Sequence, residues 1–174
     1  MPITYDLITT QTLASSASII AVSIPTGYTD MQLRISLRSD RAAYADGPFI
    51  YMNTDTNTAN YNRLLFYDED GAQGSEVARG TASSRQFGAM PAATSASGFF
   101  ATGVIDLINY SSSAVKSFNT FLSFQRTGGP TRYIWNQYNN WTGTSAINTV
   151  TIGSNNSANI FTGSSISVYG IKKA

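Results

Sequence analysis

The chain has no cysteine and no histidine among its 174 residues. The absence of cysteine excludes a disulfide framework and any chemistry that depends on a thiolate. The absence of histidine removes the side chain most used for proton transfer near neutral pH, which is also the commonest metal ligand. The sequence contains no phosphate-binding glycine loop, nucleophile elbow or metal-ligand cluster. We therefore predict a protein that is not an enzyme, with no catalytic residues, no metal and no cofactor.

Charged residues are also scarce. They make up 12% of the chain, about half of the usual ~25%. The formal net charge is +1, so we predict no basic surface of the kind that nucleic-acid binding requires. All ten acidic residues fall in residues 1–106, but the strands of a β-sandwich interleave, so we expect the charges to mix in space.

Neither a membrane span nor a secretory signal is predicted. The uncharged stretch 7–29 is interrupted too often by Thr, Ser and Gln to cross a bilayer. The first basic residue, Arg34, comes too late for the positively charged start of a signal peptide. We therefore expect no membrane partner and assembly in a cytoplasm.

No apolar pattern of helical period persists for three turns, and short apolar runs alternate instead with polar turns. The pattern predicts nine or ten strands, at residues 3–9, 18–24, 30–38, 49–53, 61–67, 99–107, 116–126, 132–138, 146–153 and 165–172. Without crossover helices the sheets must be antiparallel. We predict an all-β fold, an antiparallel two-sheet β-sandwich that forms a single domain over residues 1–174. A jelly roll fits the strand count best, and an immunoglobulin-like sandwich is the second choice.

The strand at residues 30–38 is the one around which we expect the fold to be organised. Apolar and polar side chains alternate along it without a fault, Met31, Leu33, Ile35 and Leu37 against Gln32, Arg34, Ser36 and Arg38. Such alternation predicts one buried and one exposed face. We predict a central strand whose apolar face closes on the strands at 118–124 and 166–168. Its polar face, with Gln32, Arg34 and Arg38, is the candidate contact for a partner subunit, unless the two arginines are simply solvated.

Residues 68–98 offer turn signals rather than chemistry. Asp70-Gly71 predicts a hairpin after the acidic cluster that begins at Asp68. A helix-loop-helix calcium site is excluded, because the twelfth position counted from Asp68 is Arg79 instead of glutamate. We predict a solvated turn there. Residues 72–98 are predicted to lie on the surface, with short edge strands at 76–79 and 85–88.

An aromatic run at residues 132–141 is the strongest candidate for binding. It reads RYIWNQYNNW, with four large rings among amides: Tyr133, Trp135, Tyr138 and Trp141. Rings that stack on sugars and amides that bind hydroxyls are typical of a glycan-binding face. The competing interpretation is that these rings belong to the core or to a subunit interface. A turn at Thr127–Pro130 is predicted to join this strand to the preceding one.

Two stretches, residues 4–39 and 146–174, together with Asn60-Tyr61 and Ile108-Asn109-Tyr110, resemble a family of small virion proteins of tailed bacteriophages. The resemblance covers about a third of the chain, and its motifs are structural. It implies a jelly-roll sandwich that serves as a capsid decoration (cement) protein or as a fibre or tail component.

From that resemblance we expect a homo-oligomer, with a trimer favoured, that binds the major capsid protein or other virion proteins and stabilises the outer capsid surface. The alternative is a tail-fibre, tailspike or head-fibre module that binds host glycans. Low charge suits the first role, because burying a surface with few ions has a small desolvation cost.

Overall fold

The computed structural model describes residues 4–125 and 132–172, and its sheets are all antiparallel. The described residues form thirteen strands and two single-turn 3-10 helices, at Thr58–Asn60 and Ala82–Arg85. The strands are β1 (Thr4–Thr12), β2 (Ile19–Ser23), β3 (Asp30–Leu37), β4 (Ala45–Asp46), β5 (Pro48–Met52), β6 (Tyr61–Glu69), β7 (Ala72–Arg79), β8 (Met90–Pro91), β9 (Ala101–Leu107), β10 (Lys116–Gln125), β11 (Arg132–Trp141), β12 (Thr149–Ser154) and β13 (Ser165–Lys172). A helix that could span the membrane is not found in this part of the chain.

The strands divide unevenly among three sheets. The large sheet has eight strands in the order β1-β13-β3-β9-β10-β11-β6-β7, the small sheet has the order β2-β12-β5, and β4 pairs with β8. Buried side chains of the large and small sheets belong to one hydrophobic cluster. The prediction of an all-β, antiparallel and sandwich-like fold is confirmed.

Strand β3 lies third in the large sheet, as its alternation indicates. Leu33 pairs with Val168 of β13 on one side and with Ile105 of β9 on the other, and all three are fully buried. The predicted facing partners are wrong, however, because β10 and β13 belong to the same sheet as β3. The other layer of the core comes from the small sheet, through residues such as Ile152 and Ile50. A period-2 pattern does not distinguish a neighbour in the sheet from a neighbour across the core.

Residues 72–98 contain both an edge strand and a buried segment. Strand β7 forms one edge of the large sheet, as the predicted strand at 76–79 required. The prediction of a surface location is wrong for residues 87–92, because Phe87, Met90 and Ala92 are completely buried. This segment runs beside β5, since Gln86 bridges to Phe49 and the backbone of Phe87 donates to Pro48. The predicted strand at 85–88 amounts to that single bridge.

The hairpin between β6 and β7 turns at Asp70-Gly71, as predicted. Both residues have positive φ, 55° and 87°, which a type I′ turn requires and which glycine and aspartate tolerate. The carboxylate of Asp68 accepts hydrogen bonds from Arg132 at 2.8 Å and from the backbone of Gly71 at 3.1 Å. The bond from Arg132 holds the pKa of Asp68 below its usual value. The turn predicted at 127–130 lies outside the described residues.

Candidate functional site

The aromatic run at 132–141 forms β11, and its rings point to opposite faces of the large sheet. Tyr133, Trp135 and Trp141 face the core, with exposed fractions of 6%, 8% and 3%. Tyr138 is 47% exposed and faces outward. Of the two interpretations, the burial of Tyr133, Trp135 and Trp141 agrees with a place in the core, and it leaves Tyr138 as the candidate for an outside contact. Their spacing already separates Tyr138 from Trp135, because side chains alternate between the faces of a strand.

Both buried indoles donate to carboxylates at the rim of the core. Trp135 Nε1 donates to Glu69, and Trp141 Nε1 donates to Asp55 at 2.7 Å. Burial raises the pKa of the Glu69 carboxyl. Burial also pushes the pKa of Asp55 upward, but hydrogen bonds from Trp141, the Asn60 side chain and a backbone N–H outweigh burial and leave that pKa below its usual value. These contacts anchor the rings, since a buried N–H needs an acceptor.

The fold encloses the cations of Lys116 and Arg63. Lys116 is 1% exposed, and its Nζ donates to the carbonyls of Ser112 and Ala114, both at 2.6 Å. Burial lowers the pKa of Lys116. Arg63 is 4% exposed and forms an ion pair with Glu76 at 2.7 Å. Both side chains are held inside the fold by these partners, and we assign both a structural role. The described residues also contain no group of three side chains that could hold a metal ion.

The outward face of the large sheet carries a broad apolar surface, which we call the outer patch. In one cross-strand row Phe121 pairs with Val104 and Asn136, and Asn136 pairs in turn with Phe66. The neighbouring row brings together Tyr138, Leu64 and Val77. The outer patch comprises Leu64, Phe66, Val77, Val104, Phe121, Ile134 and Tyr138.

Three aromatic rings account for most of the apolar surface that the outer patch exposes. Phe66, Phe121 and Tyr138 are 55%, 45% and 47% exposed. Because an aromatic side chain offers roughly 150–250 Å², these three rings alone present about 300 Å² to solvent. Val77, which is 58% exposed, extends the surface. An apolar patch of this size is often an interaction site.

Polar groups that flank the outer patch are largely paired with one another. Gln32 donates to Asp106 at 2.9 Å, and Arg34 Nε donates to Gln32 at 3.0 Å. The Arg34 guanidinium also lies 4.5 Å from the centroid of the Tyr169 ring. A surface whose charged groups already have hydrogen-bond partners is cheaper to desolvate than one with isolated ions. Gln32 and Arg34 therefore remain candidates for a contact at this face.

The third predicted contact residue, Arg38, is in the wrong place for that role. Strand β3 ends at Leu37, and Arg38 is only 5% exposed. Its guanidinium donates to four backbone carbonyls of the loop at 92–99, those of Ala92, Ser95, Ala96 and Phe99, at 2.7–2.9 Å. Arg38 follows the last residue of β3, where the chain leaves the sheet, so the alternation of side chains along the strand does not determine which way it points. Arg38 closes a loop and is not available to a partner.

Apolar residues on the otherwise polar faces of β10 and β6 are the sequence signal for the outer patch. In β10, Phe121 interrupts the polar set between the inward residues Thr120 and Leu122, and in β6 Phe66 does the same after Leu65. Strands with apolar residues on both faces need cover on both faces. The described residues supply that cover on the inner face only, because Phe66 and Phe121 are exposed.

The fold and this surface define a class of protein, an all-β sandwich-like domain with an extended apolar sheet face and no recognisable reaction centre within the described residues. Comparison with protein-family models, with curated proteins and with solved structures returns no match. The class therefore stands on the geometry alone.

Proposed function

We propose that the chain is a non-enzymatic structural subunit that assembles with further copies of itself through the outer patch. The observation that carries the proposal is the exposure of three aromatic rings on one face of the large sheet. A standard interface removes about 800 Å² from each partner and has an aromatic centre with a polar rim. The outer patch supplies the centre, and the network of Gln32, Arg34 and Asp106 supplies part of the rim.

We also propose that the sandwich is of the jelly-roll type. One half of the large sheet has the order β1-β13-β3-β9, and the small sheet has the order β2-β12-β5. In a jelly roll, consecutive strands alternate between two sheets in this interleaved way. The bridge from Gln86 to Phe49 lies where a fourth strand of the small sheet would pair. In this proposal, β10, β11, β6 and β7 extend one sheet of the jelly roll.

The resemblance to phage virion proteins supports a more specific role. In this role the chain is a capsid decoration protein that binds neighbouring subunits of the major capsid protein from outside and holds them together. Such a protein stabilises a shell because it binds the assembled lattice better than free subunits. Particles that lack the protein should lose resistance to heat and osmotic shock. If they kept full resistance, this role would be refuted, and a map of the intact particle would show whether the protein lies on the head or the tail.

The assembly itself can be tested with the isolated chain. Sedimentation velocity at micromolar concentration should show an oligomer, with a trimer favoured, for the wild type. The double variant Phe66→Asp/Phe121→Asp should sediment as a monomer, because charges buried in an interface without partners are costly. Ile19→Asp is the matched control, since Ile19 is 45% exposed on the small sheet, and it should assemble like the wild type. A monomeric wild type, or a double variant that still assembles, would refute the proposal.

A further inference from the structure

A groove with an aromatic wall and a polar lining lies at one end of the sandwich, away from the outer patch. Its volume is about 500 Å³, which is within the range of small-ligand sites. Strand β4, the end of β6, the start of β11 and the loop after β12 all contribute to it. Its principal lining residues are Tyr44, Glu69, Gln86, Tyr133, Asn155 and Asn156. We call it the Tyr44 groove.

The aromatic wall of the Tyr44 groove is held in place by the side chains packed behind it. Tyr133 stacks on Phe124 with 4.7 Å between ring centroids and 2° between the planes. The Tyr44 ring lies 6.2 Å from Tyr133, and Tyr44 is 43% exposed. The backbone carbonyl of Tyr44 accepts hydrogen bonds from Ala92 N and from Ser95 Oγ. Tyr44 thus offers an accessible ring on a backbone that is held in place.

The polar lining is also held in place, by a carboxylate beneath it. The Asp46 side chain is completely buried, and it accepts hydrogen bonds from Ser154 Oγ at 2.7 Å and from Asn156 Nδ2 at 2.6 Å. The backbone of Asn155 donates to Gly47 at 2.9 Å. Amides that are already ordered lose less conformational entropy when they bind a ligand.

The charges around the Tyr44 groove decide which chemical class it suits. Two carboxylates, Asp46 and Glu69, line it together with one cation, Arg41. Arg41 Nη1 lies 3.9 Å from Asp46 Oδ1 and donates to the backbone of Ala45 at 3.2 Å. An anionic ligand such as a phosphate would therefore meet more negative than positive charge. A ligand with many hydroxyls and no charge matches a lining of amides, a carboxylate and a tyrosine ring.

We infer that the Tyr44 groove binds a neutral saccharide, with the Tyr44 ring against a sugar face and the side chains of Gln86, Asn155 and Asn156 near its hydroxyl or acetamido groups. This site goes beyond the proposed structural role and uses residues outside the outer patch. A host-surface glycan bound here would contact the exposed Tyr44 ring, with the buried Tyr133 ring of β11 behind it. The two proposals can therefore fail independently.

The test is a glycan array of neutral bacterial surface saccharides, including N-acetylglucosamine oligomers, followed by calorimetry with the strongest ligand. The wild type should bind, and Tyr44→Ala should weaken binding by about tenfold or more, which is the effect of losing one good contact. Tyr44→Phe, which keeps the ring, should retain most of the affinity. Tyr5→Ala is the matched control, because Tyr5 is a tyrosine of similar exposure, 51%, on β1 and belongs to neither the groove nor the outer patch, and it should bind like the wild type.

A second measurement makes the outcome independent of whether Tyr44→Ala folds. In the wild-type chain, the bound saccharide should shift the side-chain amide NMR signals of Gln86, Asn155 and Asn156, and should leave those of Asn62 and Asn140 in place. The latter pair lies beside Tyr138 in a depression at the rim of the outer patch. A silent array, shifts confined to Asn62 and Asn140, or equal losses in Tyr44→Ala and Tyr5→Ala would overturn the inference.

Discussion

Replacement of Arg38 by methionine should destabilise the protein far more than the same replacement at Arg34, although the two arginines are two positions apart. Methionine keeps much of the length and apolar volume of the side chain and removes the guanidinium. At Arg38 it removes the guanidinium donor from the carbonyls of Ala92, Ser95, Ala96 and Phe99. Those of Ala92 and Ala96 still accept from the backbone N–H groups of Ser95 and Phe99. At Arg34 it removes one hydrogen bond and one exposed ring contact.

The size of the effect follows from the burial of these carbonyls. The bonds from Arg38 to Ala92 and Ser95 are buried, and those to Ala96 and Phe99 are partly buried. Leaving a buried acceptor unsatisfied costs about 1–3 kcal/mol, and this cost applies to the Ser95 carbonyl. The Ala92 carbonyl keeps a bond from Ser95 N and loses one hydrogen bond, at about 0.5–1.5 kcal/mol. These two carbonyls account for ~2–4 kcal/mol, to which the partly buried carbonyls of Ala96 and Phe99 add. Methionine also removes a charge whose burial is unfavourable, which offsets part of that loss. We expect a net loss of about 3–5 kcal/mol of unfolding free energy.

Urea denaturation followed by tryptophan fluorescence measures this loss, because both tryptophans are buried in the native state. A loss of about 3–5 kcal/mol corresponds to a melting temperature roughly 6–20 °C lower in a chain of this size. The Arg34→Met control should stay within about 1 kcal/mol of the wild type. If the two variants had the same unfolding free energy, the assignment of Arg38 as a loop-closing residue would be wrong.

Two further predictions concern the core. Ile35→Asp should cost several kcal/mol and abolish folding, because Ile35 is 4% exposed in the middle of β3; a soluble variant with unchanged melting in a thermal scan would contradict the facing of that strand. Burial raises the pKa of both Tyr61 and Tyr133, so the native state keeps their protons above pH ~10, where the unfolded chain loses them. The stability that they contribute is complete below pH ~10, the pKa of an unfolded tyrosine, and is lost as the pH rises from there through the higher pKa of the folded state. Urea midpoints should therefore fall with rising pH in the alkaline range, and Tyr61→Phe/Tyr133→Phe should flatten that fall; an unchanged slope in the double variant would contradict this origin.

The alternation of apolar residues was sufficient to predict the strands of the large sheet that have one buried and one solvent-exposed face. In β3 every second side chain is buried from Met31 to Leu37, and in β10 the inward set from Phe118 to Phe124 is the one that the pattern predicts. In both strands, a one-residue change of register would expose the whole apolar set, so the sequence specifies the facing strongly. The Asp70-Gly71 turn was predictable for a similar local reason, because few residues adopt positive φ.

The features that the sequence did not predict depend on contacts between residues that are distant in the sequence and close in the fold. Arg38 follows the polar set of β3 by position, yet its guanidinium is buried because a loop more than fifty residues later in the sequence folds over it. Phe87 and Met90 belong to a segment of small and polar residues that resembles a surface loop, yet this segment lies against the core beside β5. Both cases are tertiary contacts that no local period encodes.

The outer patch shows why topology was needed to locate a candidate site. Apolar residues on both faces of a strand are typical of a sheet covered on both sides, so Phe66 and Phe121 could equally have belonged to the core. The eight-stranded sheet is covered by the small sheet on one face only, and these two rings lie on the other. Our proposal is that further copies of the same chain cover that face, because most soluble oligomers are assembled from identical subunits. For that reason a charge at Phe66 and Phe121 should prevent assembly without unfolding the subunit, whereas a charge at Ile35 should unfold it.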